Sequence, residues 1–174
     1  MTRSIPLAQL LQGVPEARLV KGSSDVLISG ISNNSREIQP GWIFVAIPGL
    51  ERDGNDFIPR SLATETALIQ VPSARAALAD FAAAFWDYPS RKLTLIGVTG
   101  TDGKTSTTQL IGAILRAAGR PVGWLSTASI RICDETRPNS LDHTTPEAPA
   151  VQRVLAEMVD AGVQTAILEV SSHA

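Results

Sequence analysis

The stretch Leu93-Thr-Leu-Ile-Gly97-Val98-Thr-Gly100-Thr101-Asp102-Gly103-Lys104-Thr105-Ser106-Thr-Thr108 decides the fold of the second half of the chain. An apolar run from Leu93 to Val98 reads as a buried strand, glycines break it, and a helical pattern follows to about Ala118, with Gly119 as its stop. Strand, Gly-rich turn and helix in that order are the context in which a phosphate loop works. Glycines let the backbone turn tightly and approach an anion, and the following helix offers free N–H groups and the positive end of its dipole. Lys104 adds a mobile ammonium, and Thr105 adds a hydroxyl suited to Mg²⁺. The commonest form of the loop has a glycine where this chain has Val98, so Gly97 and Gly100 are expected to shape a variant loop. The competing reading is an ordinary strand-to-helix turn, but it does not require lysine, hydroxyl and helix all in register. The direction of Asp102 stays open: beside phosphates its carboxylate must point away or accept from a backbone N–H.

Working outward, Pro121–Leu125 reads as a second strand, and 129–145 as a polar loop. Pro146-Glu147 then opens a helix with Val151, Val154, Leu155, Met158 and Val159 on one stripe, closed by Gly162. A third strand, Thr165–Val170, runs into Ser171-Ser-His173-Ala174. Strand–helix–strand order makes a parallel sheet, and three such strands with two helices leave a face or edge uncovered. The second half is therefore expected to be the N-terminal part of a larger domain.

The first ninety residues read as a small mixed α/β unit. A short helix is expected that Ser4 can cap, with Pro6 in its first turn and Leu7, Leu10 and Leu11 on one face. Strands are expected at Val26–Ile31 and Trp42–Ile47, a helix from Asp56 to about Thr64, a short apolar run Ala67–Val71, and an Ala-rich helix carrying Ala77, Leu78, Phe81, Ala82 and Phe85. Tyr88-Pro89-Ser90-Arg91 breaks the pattern, which puts the boundary at 1–90 and 91–174. The fold class is α/β: a small mixed N-terminal domain, then a truncated parallel-sheet phosphate-loop domain.

Composition narrows the function. The 174 residues are 44% hydrophobic and 18% charged, and 15 Lys+Arg against 17 Asp+Glu give a net charge of -2 without long like-charge blocks. Broad electrostatic binding to nucleic acid or to an anionic membrane is not expected, so an anionic ligand must be held by a local device. Cys133 is the only cysteine, which rules out an intrachain disulfide and a thiolate zinc cluster. The N-terminal apolar run is too short for a secretory signal or a membrane span, and a cytoplasmic location is expected.

Near the end of the third strand, Glu169 interrupts the run Ala-Ile-Leu-Glu-Val. A buried carboxylate needs a cation or donors, and in open α/β sheets ligands bind at that edge. Mg²⁺ shared with Thr105 and nucleotide phosphates would satisfy it; a salt bridge or a solvent-facing side chain is the plainer alternative. His173, on the same edge, reads equally as a ligand or as a structural imidazole.

These motifs resemble the Mur ligases, which build the peptide stem of bacterial cell-wall precursors by ATP-driven amide formation. The phosphate loop is similar to theirs, with Asp102 where Asn is more usual and Ser106 where Thr is. Asn34-Ser35-Arg36, Pro40-Gly-Trp-Ile-Phe-Val-Ala-Ile-Pro-Gly49 and Asp53-Gly54-Asn-Asp-Phe-Ile58 resemble the branches that add the third residue and the terminal dipeptide. Thr144-Thr145-Pro-Glu147 and Glu169-Val-Ser-Ser-His173 resemble the third-residue branch.

The resemblance implies an N-terminal domain holding the UDP end of the substrate through Ser35, Leu50, Glu51 and Arg52, with Leu50 standing where a histidine is common. It implies ATP held by Gly100, Thr101, Asp102, Gly103, Lys104, Thr105 and Ser106, with Lys104 catalytic. It further implies Mg²⁺ on Thr105 and Glu169, and the UDP-N-acetylmuramoyl-dipeptide against His143, Thr144, Thr145 and Ser171. The incoming amino acid, its identity open, would bind in a C-terminal domain absent from this chain. The expected protein is a monomer that engages neither nucleic acid nor membrane, and this chain alone is expected to lack ligase activity. Two other readings stand beside it: a phosphate-loop NTPase or kinase of another family, and a non-catalytic UDP-sugar-peptide binding fragment.

Overall fold

In a computed structural model, residues 3–33, 36, 39–45, 68–141 and 146–171 are described. The chain divides into two compact units, Met1–Asp87 and Tyr88–Ala174. Among the described residues no helix is long and apolar enough to cross a membrane.

In the first unit, β1 (Ile5–Pro6) leads directly into α1 (Leu7–Gln12). β1 pairs antiparallel with β3 (Leu27–Ile28), which places Ile5 opposite Ile28 and commits residues 5 and 6 to strand. Ser4 therefore does not cap the helix; Pro6 is the N-cap, extended at φ -60° and ψ 140°, with no side-chain cap bond. Further antiparallel pairing joins β2 (Arg18–Lys21) to β6 (Leu68–Gln70). The expected strand 26–31 is divided at Ser29 into β3 and β4 (Gly30–Ser32), because the two pieces find different partners. β4 pairs in parallel with β5 (Trp42–Phe44). The Ala-rich segment is α2 (Ala74–Phe85), capped by Ser73, whose Oγ accepts from the Ala76 N–H at 3.4 Å. Its buried face is Ala77, Leu78, Phe81, Ala82 and Phe85, and Leu7, Leu10, Ile28, Ile31 and Ile43 are among the other core residues of the unit. The expected helix at 56–64 lies outside the described residues.

The second unit is built on one sheet of order β10-β9-β8-β11-β7. After a 3-10 turn at Pro89–Arg91 come β7 (Thr94–Val98), α3 (Lys104–Ala117), β8 (Val122–Leu125), β9 (Ser129–Ile132), β10 (Glu135–Pro138), α4 (Ala148–Asp160) and β11 (Thr165–Glu169). β11 lies between β7 and β8 and is parallel to both. The expected polar loop 129–145 is instead largely an antiparallel hairpin, β9–β10, docked on β8. Its strand signal is muted because β10 is an edge strand, exposed along its whole length and ending in Arg137-Pro138. Charge and proline are what discourage further pairing at such an edge.

Period-2 alternation sends successive residues of β8 and β11 to opposite faces. On one face Leu125, Ile130 and Ala166 pack with Val154, Leu155 and Met158 of α4. On the other, Val98, Val122, Trp124 and Ile167 pack with Ile111 and Leu115 of α3. Gly112 lets α3 come close: a Cβ there would sit 2.6 Å from the Trp124 indole. Both faces of β8 and β11 are thus covered, as a parallel sheet requires. β7 is not: it is an uncharged edge with Leu95 41% exposed. The face or edge expected to be left bare is located there.

Candidate functional site

Register brings the chemistry together. Glu169 pairs with Val98, the last residue of β7, and the Val170 N–H donates to the Val98 carbonyl at 2.8 Å. Leu168 pairs with Leu125 at the end of β8. The carboxyl ends of three parallel strands therefore meet where the glycine-rich loop leaves the sheet, the place where open α/β sheets bind ligands.

The loop is shaped by Gly100 (φ 146°) and Gly103 (φ 76°), the latter serving as the left-handed N-cap of α3. Only glycine adopts such angles without strain. Gly97 does not contribute to the turn; it lies inside β7, opposite Leu168, so the loop glycines are Gly100 and Gly103. The first-turn N–H groups of α3 have no partner within the helix and lie at its positive dipole end. Half-buried Lys104 donates from Nζ to the carbonyls of Gly100 at 2.8 Å and Thr101 at 2.9 Å, so its ammonium lies folded over the loop it follows. Thr101, Asp102 and Ser106 are exposed.

Alternation from Ile167 puts Glu169 on the α3 face of β11, where it is only 4% exposed. The Thr105 hydroxyl lies 3.1 and 3.0 Å from its two carboxylate oxygens. Thr127 adds a backbone N–H at 2.9 Å and a hydroxyl at 3.0 Å. Burial of the carboxylate is thus offset by donors, with no cation needed to explain it. Among the described residues no group of three or more His, Cys, Asp or Glu side chains forms a metal cluster. Mg²⁺, however, typically takes one or two carboxylates and fills its remaining positions with phosphate and water oxygens. A single buried carboxylate touching a hydroxyl at the start of the loop helix is an all-oxygen donor set, and it fits that habit.

The loop, Lys104, Thr105 and Glu169 are brought to one edge, and Ser171 follows two residues after Glu169. Ser35, Leu50, Glu51, Arg52, His143, Thr144, Thr145 and His173 lie outside the described residues. Thr127 was missed by sequence reasoning. Its signal was available, since Ser126-Thr127 directly follows the apolar run of β8 and so falls at the same sheet edge.

Residues 98–174 match the Mur ligase middle domain. The chain is 44% identical over 168 residues to the UDP-N-acetylmuramyl-tripeptide synthetase of Deinococcus radiodurans, covering 87% of this chain and 34% of that protein. It is 41% identical over 166 residues to the UDP-N-acetylmuramoyl-L-alanyl-D-glutamate--2,6-diaminopimelate ligase of Gloeobacter violaceus, covering 86% and 33%. A solved structure of a UDP-N-acetylmuramoyl-L-alanyl-D-glutamate--2,6-diaminopimelate ligase shares the fold with a TM-score of 0.71 at 23% identity, covering 99% of this chain and 37% of that one. The chain spans about a third of the length of the curated relatives it matches.

Proposed function

We propose, from the premise that this chain belongs to the Mur ligase family, that it is the N-terminal third of an ATP-dependent ligase of peptidoglycan precursor synthesis. The step is addition of the third amino acid to UDP-N-acetylmuramoyl-L-alanyl-D-glutamate, the one named for the curated relatives at 44% and 41% identity. Residues 1–90 hold the UDP end, with Ser35, Leu50, Glu51 and Arg52 as contacts. Residues 91–174 begin the ATP domain, and His143, Thr144, Thr145 and Ser171 line its part of the muramoyl-peptide site. The uncharged edge of β7, with Leu95 exposed, supports a sheet that continues beyond these strands.

The observation that carries the reading is the meeting of the loop, Lys104, Thr105 and Glu169 at one strand edge. Gly100 to Ser106 and the first turn of α3 surround the ATP phosphates with N–H donors. Attack of a substrate carboxylate on the γ-phosphate, which breaks its bond to the β-phosphate and releases ADP as the acyl phosphate forms, is opposed by repulsion between anions. Lys104 reduces it by leaving the Gly100 and Thr101 carbonyls for phosphate oxygens. Thr105 and Glu169 would hold Mg²⁺, which neutralises phosphate charge and keeps the reacting groups in line. The amine of the incoming amino acid then displaces phosphate and forms the amide.

Isothermal titration of the chain with Mg-ATP and, separately, with UDP-N-acetylmuramoyl-dipeptide tests the reading. Binding of both, without phosphate release when an amino acid is added, is the expected result. Hydrolysis of ATP independent of the UDP substrate would instead indicate a generic phosphate-loop NTPase, and binding of neither ligand would refute the assignment.

A further inference from the structure

We infer that Thr127, at the tip of the β8–β9 hairpin, is a positioning residue that holds the Glu169 carboxylate in the orientation a divalent cation requires. The inference rests on the Mg-ATP reading above. Thr127 grips both carboxylate oxygens at once, its N–H on Oε2 at 2.9 Å and its hydroxyl on Oε1 at 3.0 Å. Two donors from one residue fix both the position and the plane of the carboxylate, as bidentate pairs do. Thr105 bonds differently, sharing one hydroxyl hydrogen between the two oxygens at 3.1 and 3.0 Å.

The capacity of the carboxylate makes the difference useful. Each oxygen has about two lone-pair directions. Thr127 takes one on each, which leaves one on each for the hydroxyl hydrogen that Thr105 shares between them. A cation can displace that hydrogen, because a hydroxyl turns about its bond and then offers its own lone pair to the metal. Thr127 cannot release Oε2 in this way, because its N–H moves only if the backbone moves, and with Oε2 so held its hydroxyl on Oε1 sets the plane of the carboxylate.

That backbone is braced from both sides. Ser126 is fully buried; its N–H and Oγ both donate to the Ser129 carbonyl, at 2.9 and 3.0 Å, and its Oγ accepts from the Ser129 N–H at 3.1 Å. Asn139, just past β10, donates from Nδ2 to the Ser126 carbonyl at 2.8 Å and from its backbone N–H to the Ala128 carbonyl at 3.2 Å. Trp124 Nε1 donates to Ser129 Oγ at 3.1 Å. Thr127 is therefore the fixed jaw of the carboxylate clamp and Thr105 the movable one.

The test is the gain in ATP affinity that Mg²⁺ produces, measured by calorimetry with excess Mg²⁺ and again in EDTA. Thr127→Val removes the hydroxyl at nearly constant volume. It should shrink the Mg²⁺-dependent gain by about 10- to 100-fold, the usual cost of losing an outer-shell partner. Affinity for metal-free ATP should stay within about twofold, and Thr127→Ser should restore the gain; a purely structural role would weaken both affinities together. A Thr127→Val chain with the full Mg²⁺ gain overturns the inference while the functional reading stands. A wild-type chain that gains nothing from Mg²⁺ overturns both. Should the valine variant not fold, the Thr127 amide resonance of the labelled chain decides. It should move in Glu169→Gln, and an unmoved resonance overturns the inference.

Discussion

Replacing Lys104 with alanine should weaken Mg-ATP binding by about 10- to 150-fold while leaving the unliganded chain almost as stable. The ammonium already makes two charge-assisted bonds in the free loop, to Gly100 at 2.8 Å and Thr101 at 2.9 Å. In the proposed function nucleotide binding would exchange these for bonds to phosphate, so the expected loss is a difference between two bonded states. Hydrogen bonds to charged groups contribute about 1.5–3 kcal/mol. The carbonyl contacts count for less than that, because the Thr101 contact is exposed and faces competition from water. A contact between full charges inside a loop closed over phosphate retains most of the range, and about 1.4 kcal/mol per tenfold converts it to the affinity loss given. Calorimetry of wild type and Lys104→Ala at one salt concentration measures it, with thermal melts of both free proteins as the control. Binding within twofold of wild type would refute the role given to Lys104. An equal loss in melting temperature and affinity would mean that the lysine acts by holding the loop together.

Other outcomes follow from the same geometry. Gly103→Ala forces a Cβ onto a residue at φ 76° and should cost about 1–2 kcal/mol in urea unfolding, together with a loss of nucleotide binding. Gly112→Ala gains about 1 kcal/mol of helix propensity but drives a methyl to 2.6 Å from the Trp124 indole, which its bond to Ser129 holds in place. Overpacking of about 1–3 kcal/mol should win, and a variant as stable as wild type would show that α3 can shift. Ser73→Ala should lower the stability of the first unit by about 0.5–1 kcal/mol, near the lower end for a cap because the bond is long at 3.4 Å. Amide exchange should show the loss along α2 and leave β11 protected.

How much was legible depended on whether the signal was local. Helices α2, α3 and α4 could be read because their apolar spacing is self-contained, and α4 buries Val154, Leu155 and Met158 of the expected stripe. The strand, glycine turn and helix around Lys104 could be read because their pattern occupies consecutive residues. The β9–β10 hairpin departs from the expected loop: β9 is a four-residue alternation, Ser129-Ile-Arg-Ile132, set in a polar stretch, and β10 is an exposed edge strand with no apolar alternation. The Ser4 cap failed because β1 pairing with β3 is a non-local claim on the same residues.

The sequence by itself determined the order of the three parallel strands and two helices of the second unit, the position of the glycine–lysine loop, and a carboxylate set into an apolar strand. These are properties of neighbours along the chain, where period and turn chemistry suffice. Only the tertiary structure decided which residues meet Glu169. Thr105 and Thr127 are 64 and 42 residues away from it and reach it because β11 inserts between β7 and β8. Strand order is set by which faces α3 and α4 can jointly cover, a choice made by burial across the whole unit. Its place after β8 puts Thr127 at the sheet edge, and that choice is what brings it against Glu169.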